Sequence, residues 1–192
     1  MKNYLYLTVI ISLLLTSCFK KDELIYIPDK NDRNLPAYTE VGYNSFGAVY
    51  ESSYFIVEKD IAPCKIIYQS GMLDFHLIGK LRNYQDMDVT FSFPFPTIDD
   101  YTDLAELNNT VIDLSDPLCS VEIKIDNKKE VVTQIHGKLT FKRVQLLKID
   151  GKANRTNLSG FFEVSFLKDG KTETISEGRF DVGINRIFRY LN

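Results

Sequence analysis

From Tyr43 onward the dominant period of the apolar residues is two, and this period constrains the chain more than any other feature. A period of two buries one face of a pleated strand and leaves the other to water. Leu73, Phe75, Leu77 and Leu81 point one way in Met72–Leu81, with Asp74, His76 and Lys80 opposite. Val89, Phe91 and Phe93 oppose Thr90 and Ser92, and Val121, Ile123 and Ile125 oppose Glu122, Lys124 and Asp126. Turn-forming pairs separate the runs at Ser52-Ser53, Ser70-Gly71, Arg82-Asn83, Asp126-Asn127, Asp150-Gly151 and Asp169-Gly170. Pro94 and Pro96 end one strand, since proline cannot donate to a sheet ladder. Helical spacing occurs only at residues 98–107, where Asp99 or Asp100 could cap a short helix. The expectation is an all-β antiparallel meander, a sandwich in preference to a closed barrel.

The last hairpin allows a sharper test. Leu158, Gly160, Phe162, Val164 and Phe166 share one face of its first strand, and Gly178, Phe180, Val182 and Ile184 one face of its second. A two-residue Asp169-Gly170 loop, carried straight through, would set Phe162 against Glu177 and mix core with solvent. A three-residue loop, Lys168-Asp169-Gly170, sorts the faces, and sorting the faces sets register. That reading pairs Phe162 with Ser176, Gly160 with Gly178 and Leu158 with Phe180, and makes Gly170 a left-handed bulge residue.

The N-terminus reads as an address. Lys2 precedes an apolar run, Leu5–Leu15, that is too short to span a bilayer and suits a signal-peptide core. Leu15-Thr16-Ser17-Cys18 then resembles the lipobox of bacterial lipoproteins. That resemblance implies cleavage before Cys18 and acylation of its thiol, with palmitate-type chains holding the protein to a membrane. Phe19-Lys20-Lys21-Asp22-Glu23 resembles the export signal of Bacteroidota surface lipoproteins, with departures at Phe19 and Lys21. It implies display at the cell surface, with the periplasmic face of the outer membrane as the alternative. The resulting division is a signal peptide at 1–17, a lipidated tether at 18–38, one β-domain at 39–186 and a tail at 187–192.

Composition narrows function. The chain of 192 residues carries 23 basic and 26 acidic side chains, a net charge of −3, with no basic stripe for nucleic acid. In an exported protein Cys64 and Cys119 are available to pair, or stand as free buried thiols. No Cys-x-x-Cys, phosphate loop or nucleophile elbow appears, so neither cofactor nor catalytic residue is assigned. There are two histidines and no tryptophan. His76 and His136 fall on separate strands, and a metal pair with Asp74 is the weaker reading beside two solvated histidines. The acids Asp86, Asp88, Asp99 and Asp100 read as turn residues rather than cation ligands. Tyr50, Tyr54, Tyr84 and Tyr101 are available as sugar platforms. Phe91-Ser92-Phe93-Pro94-Phe95-Pro96 reads as a strand and a turn with Phe95 tucked beneath, against the alternative of an exposed recognition loop.

Two further stretches, Leu35-Pro36-Ala37-Tyr38-Thr39-Glu40-Val41-Gly42-Tyr43-Asn44-Ser45-Phe46-Gly47 and Ser159–Val164 with Glu177–Val182, resemble the opening and closing hairpin of a family of small Bacteroidota lipoproteins of unknown function. Ala37, Ser45 and Ser52-Ser53 depart from its pattern. The resemblance implies an all-β fold and an envelope setting, and no reaction. Gly47 within a strand points to a bulge or a close backbone approach. The functional expectation is a non-catalytic binding module at the outer membrane, for a glycan, small ligand or outer-membrane protein. The alternative is a structural or accessory subunit of an outer-membrane assembly.

Overall fold

Alternation becomes sheet throughout the structure, a computed structural model that describes residues 24–59 and 61–189. The strands are β1 (Ser45–Tyr50), β2 (Ser53–Ile56), β3 (Cys64–Gln69), β4 (Met72–Leu81), β5 (Asp86–Pro94), β6 (Thr110–Asp113), β7 (Ser120–Ile125), β8 (Lys128–Lys129), β9 (Thr133–Ile149), β10 (Lys152–Lys168) and β11 (Lys171–Ile184). All pair antiparallel in one sheet of order β6-β9-β10-β11-β1-β2-β4-β5-β7-β8, with β3 alongside β4. Most neighbours in space are neighbours in sequence, as a meander requires. The first strand nevertheless lies beside the last, and β6 crosses to β9. The sheet does not close into a barrel. It folds over itself, sandwich-like, and rings from β4 and β5 meet rings from β9, β10 and β11. Phe75 lies 5.0 Å from Phe180 and 5.4 Å from Phe141, and Phe91 lies 5.4 Å from Phe162. Edge-on and tilted contacts of this kind add to the burial of large apolar area. Phe95 packs against this core, edge-on to Phe93, as its Pro-bounded turn implies.

The helical stretch is a single 3-10 turn, Asp103–Leu107, which buries Leu104 and Leu107. Asp99 and Asp100 do not cap it. Their backbone N–H groups donate to the Asp103 carboxylate. Four two-residue loops, Ser70-Gly71, Asp126-Asn127, Asp150-Gly151 and Asp169-Gly170, have positive φ at both positions, the mirror-image turn that matches strand twist.

The last hairpin takes a different register from the expected one. The loop has two residues, and Lys168 pairs with Lys171 and Val164 with Ile175. A bulge then inserts one residue on β11 around Glu177, whose φ is 53°. Beyond it Phe162 pairs with Gly178, Gly160 with Phe180 and Leu158 with Val182. The faces sort as required, but mid-strand rather than at the turn. Each glycine therefore faces a phenylalanine. A Cβ on Gly160 would collide with the Thr140 carbonyl and lie 2.7 Å from the Phe180 ring.

The tether also ends earlier than residue 38. Leu35 is fully buried. Pro28 bridges to Pro36, the Tyr54 hydroxyl donates to Asp32 at 2.8 Å, and Arg179 pairs with Asp29 at 2.9 Å. Gly47 is the close approach expected, because a Cβ there would strike Pro36. The polar, proline-rich composition suggested a linker, yet these polar groups are spent on turns and on the domain surface. At the other end, residues 187–189 are not a free tail. Phe188 forms a parallel bridge with Ile67, and Arg189 donates to the carbonyls of Ile98 and Asp99.

The buried Asp181 carboxylate fastens the N-terminal segment. It accepts from the hydroxyls of Thr39 and Ser159 and from the backbone N–H of Val41, Gly42 and Tyr43. Charge-assisted bonds are the stronger kind, and donors left unpaired in the interior are costly. Asp181→Ala is expected to lower stability by about 3 kcal/mol or more, a fall of about 6–12 °C in melting temperature for a chain this size. Gly160→Ala is expected to cost about 1–3 kcal/mol through overpacking. Gly151→Asn, at an open turn position with φ of 76°, stays within about 1 kcal/mol of the parent. Denaturant melts of the three variants measure all three changes.

Candidate binding cleft

Strands β3 and β11 approach one another at the mouth of the sandwich without pairing along their length. Phe188 bridges them by donating its N–H to the Ile66 carbonyl and accepting from the Tyr68 N–H, both at 2.9 Å. Between this bridge and Lys59, Ile61, Ala62 and Pro63 lies a cleft of about 510 Å³, within the range of ligand pockets. Its wall and floor include Leu24, Ile61, Pro63, Cys64 and Ile184. Leu24 is held at the rim by the Ile25 N–H, which donates to the Tyr43 carbonyl at 2.9 Å. Asn44, itself buried, also lines the cleft and accepts from the Gly183 N–H through its side-chain oxygen. Burial pushes the Cys64 thiol well above its usual range, so it is protonated and behaves as a small apolar group.

The rim is basic. Lys59, Lys65 and Arg186 all border the cleft. The Lys65 ammonium and the Arg186 guanidinium each lie 4.8 Å from the centre of the Phe188 ring. Among the described residues none of the three cations is paired with a carboxylate. The cleft therefore joins an apolar interior to cations held by an aromatic face.

Two smaller hollows differ from it. One, about 470 Å³, lies across Leu24 and is bordered by Tyr26, Arg33, Tyr54 and Arg82. The other, about 350 Å³, sits over Gly178 on the outer face of β9–β11, where Arg179 is already paired with Asp29 and Glu177.

Residues singled out in the sequence are dispersed. Cys18 lies outside the described residues. Cys64 and Cys119 are both free thiols. Cys64 is level with Leu77, Val89 and Ile123, three strands from the strand that follows Cys119. That separation, about 14 Å in the sheet direction alone, exceeds what a disulfide bridges. His76 Nδ1 meets the Thr90 hydroxyl at 2.9 Å, and His136 Nδ1 meets Ser115 at 3.3 Å. The two histidines do not converge with Asp74, and no cluster of metal-ligating side chains occurs among the described residues. Asp86 pairs with Lys80. Tyr50 is buried and bonded to Glu173, Tyr54 is bonded to Asp32 and Tyr101 to the Ala153 carbonyl. Tyr84 alone of the four stands well exposed, at 83%. Sequence reading missed Lys59, Lys65, Arg186 and Phe188. The spacing Arg186-x-Phe188 just past a strand was the available signal, since it puts a cation and a ring on one side of an extended segment.

Comparison of the chain with protein-family models, with curated proteins and with solved structures finds no match. The class is set by the fold and site: an antiparallel, sandwich-like β-protein with a basic, apolar-floored cleft.

His76 gives the domain a pH dependence. Burial holds its pKa below the usual value, against the opposing pull of Asp74, while Lys65 and Lys124 press in the same direction as burial. Its Nε2 is buried without a hydrogen-bond partner. The unfolded chain therefore takes up the proton first as pH falls below about 6.5. The stability due to neutral His76 is complete above that pH and declines below it. Thermal melts at pH 7.5 and 5.5 are expected to differ more for the parent than for His76→Gln, and equal differences would contradict this.

Proposed function

We propose that the protein is a lipid-anchored, non-catalytic binding module of the cell envelope, held to the outer membrane through Cys18 on the surface side, with the cleft between β3 and β11 as its ligand site. The observation that carries the reading is the place of Leu24, which lines that cleft. Leu24 follows Cys18 by so few residues that even a fully extended connection reaches only about 20 Å. An acylated Cys18 would keep the cleft within that distance of the bilayer. The lipobox residues Leu15–Cys18 and the resemblance to small Bacteroidota lipoproteins support the anchor.

A second reading, an accessory subunit of an outer-membrane assembly, draws on β6. This strand ends the sheet order, and Val111 on it and the nearby Leu118 are exposed at 56% and 66%. A sheet edge of this kind can accept a strand from a partner.

Metabolic labelling with a palmitate analogue tests the anchor. The native chain is expected to carry label and to fractionate with outer membranes, and Cys18→Ala to lose both. Protease added to intact cells is expected to cleave the domain. An unlabelled native chain, or a Cys18→Ala chain that stays with the membrane, would overturn the proposal.

A further inference from the structure

We infer that the cleft takes a single-chain amphiphile with an anionic head, carboxylate or phosphate, its head at Lys59, Lys65 and Arg186 and its tail over Ile61, Pro63 and Ile184. This rests on the reading of the cleft as the ligand site and adds the class of ligand. Three observations carry it.

The first is the charge at the rim. The whole chain is net negative, yet three cations gather at one mouth with no carboxylate paired to them among the described residues. Lys65 and Arg186 crowd the same Phe188 ring. Cations at one mouth with no carboxylate paired to them repel one another, and an anion bound at that mouth offsets the repulsion. Carboxylate and phosphate both suit, because guanidinium offers a planar fork and ammonium a point charge.

The second is the interior. Beside these cations Leu24, Ile61, Ala62, Pro63 and Ile184 give the lining a large apolar part, and the protonated Cys64 thiol adds no charge. A small polar anion would fill the rim and leave this surface wet. An alkyl tail would cover it. The arrangement follows the general pattern of ligand sites, an apolar cavity with a few converging polar groups.

The third is position. Leu24 forms part of the wall, so the cleft lies near any lipid carried by Cys18. Single-chain anionic amphiphiles partition into a bilayer and would be concentrated there.

Hydrogen exchange on the purified full chain tests the inference, read peptide by peptide. Dodecanoate and dodecyl phosphate are added below their micelle concentrations, with dodecanol and inorganic phosphate as controls. At least one anionic amphiphile is expected to slow exchange at residues 61–66 and 183–188, and neither control is. If only one of the two does so, it identifies the head. Lys65→Met with Arg186→Met is expected to weaken that binding by about tenfold or more while leaving the melting temperature near the parent's. Should the double variant unfold, Lys65→Met alone carries the test. Equal protection by dodecanol, protection by inorganic phosphate alone, or unchanged affinity in the variants would overturn the ligand class and leave the cleft as a site. No protection by any probe would overturn both. Absence of acyl mass at Cys18 would remove the anchor and leave the chemistry of the cleft standing.

Discussion

One carboxylate, Asp181, organises the end of the domain that carries the cleft. It sits in β11 opposite Ser45 of β1, nearly inaccessible to water, and accepts from five donors. Three of them are consecutive or near-consecutive backbone N–H groups of the Val41–Tyr43 turn. No strand partner satisfies those groups, so without the carboxylate they would lose their acceptor, Gly42 within the interior. With it, the segment from Leu35 to Asn44 lies down over β10 and β11. This explains why β10 departs from alternation there. Asn157 and Ser159 are buried between the core-facing Thr156, Leu158 and Gly160 because the strand is covered on both faces.

The same arrangement leads to the site. The turn at Tyr43 offers its carbonyl to Ile25 and so places Leu24 on the cleft wall. Asn44, next in the chain, holds the Gly183 backbone where β11 ends. From that point residues 185–188 cross to β3, and Phe188 brings Arg186 and Lys65 together. The cleft thus depends on three parts of the chain far apart in sequence. Its polarity follows from position: the floor is the open end of the core, and the rim is the surface where cations remain solvated.

Much of this architecture was legible in the residues. Alternation placed Leu158, Phe162, Val164 and Phe166 inward, and the structure buries all four. Register was less legible, because parity fixes which face a residue occupies and not its partner. Glu177 in a left-handed conformation is the deciding event, and glutamate has no turn preference that would mark it. The tether was misread for a related reason. Asp29, Asp32 and Asn34 are typical of linkers, but here they close turns whose one apolar residue, Leu35, is wholly buried. The cleft was least legible. Lys59 and Lys65 are distant in sequence from Arg186 and Phe188, and only the crossing of the tail over β3 joins them.

The central claim is that the Asp181 carboxylate holds the Val41–Tyr43 turn as part of the cooperative core. Native-state hydrogen exchange of the Gly42 and Tyr43 amides measures this directly. The account predicts that both exchange as slowly as the paired amides of β10 and β11, through global unfolding alone. Exchange at the rate of an open surface loop would contradict it.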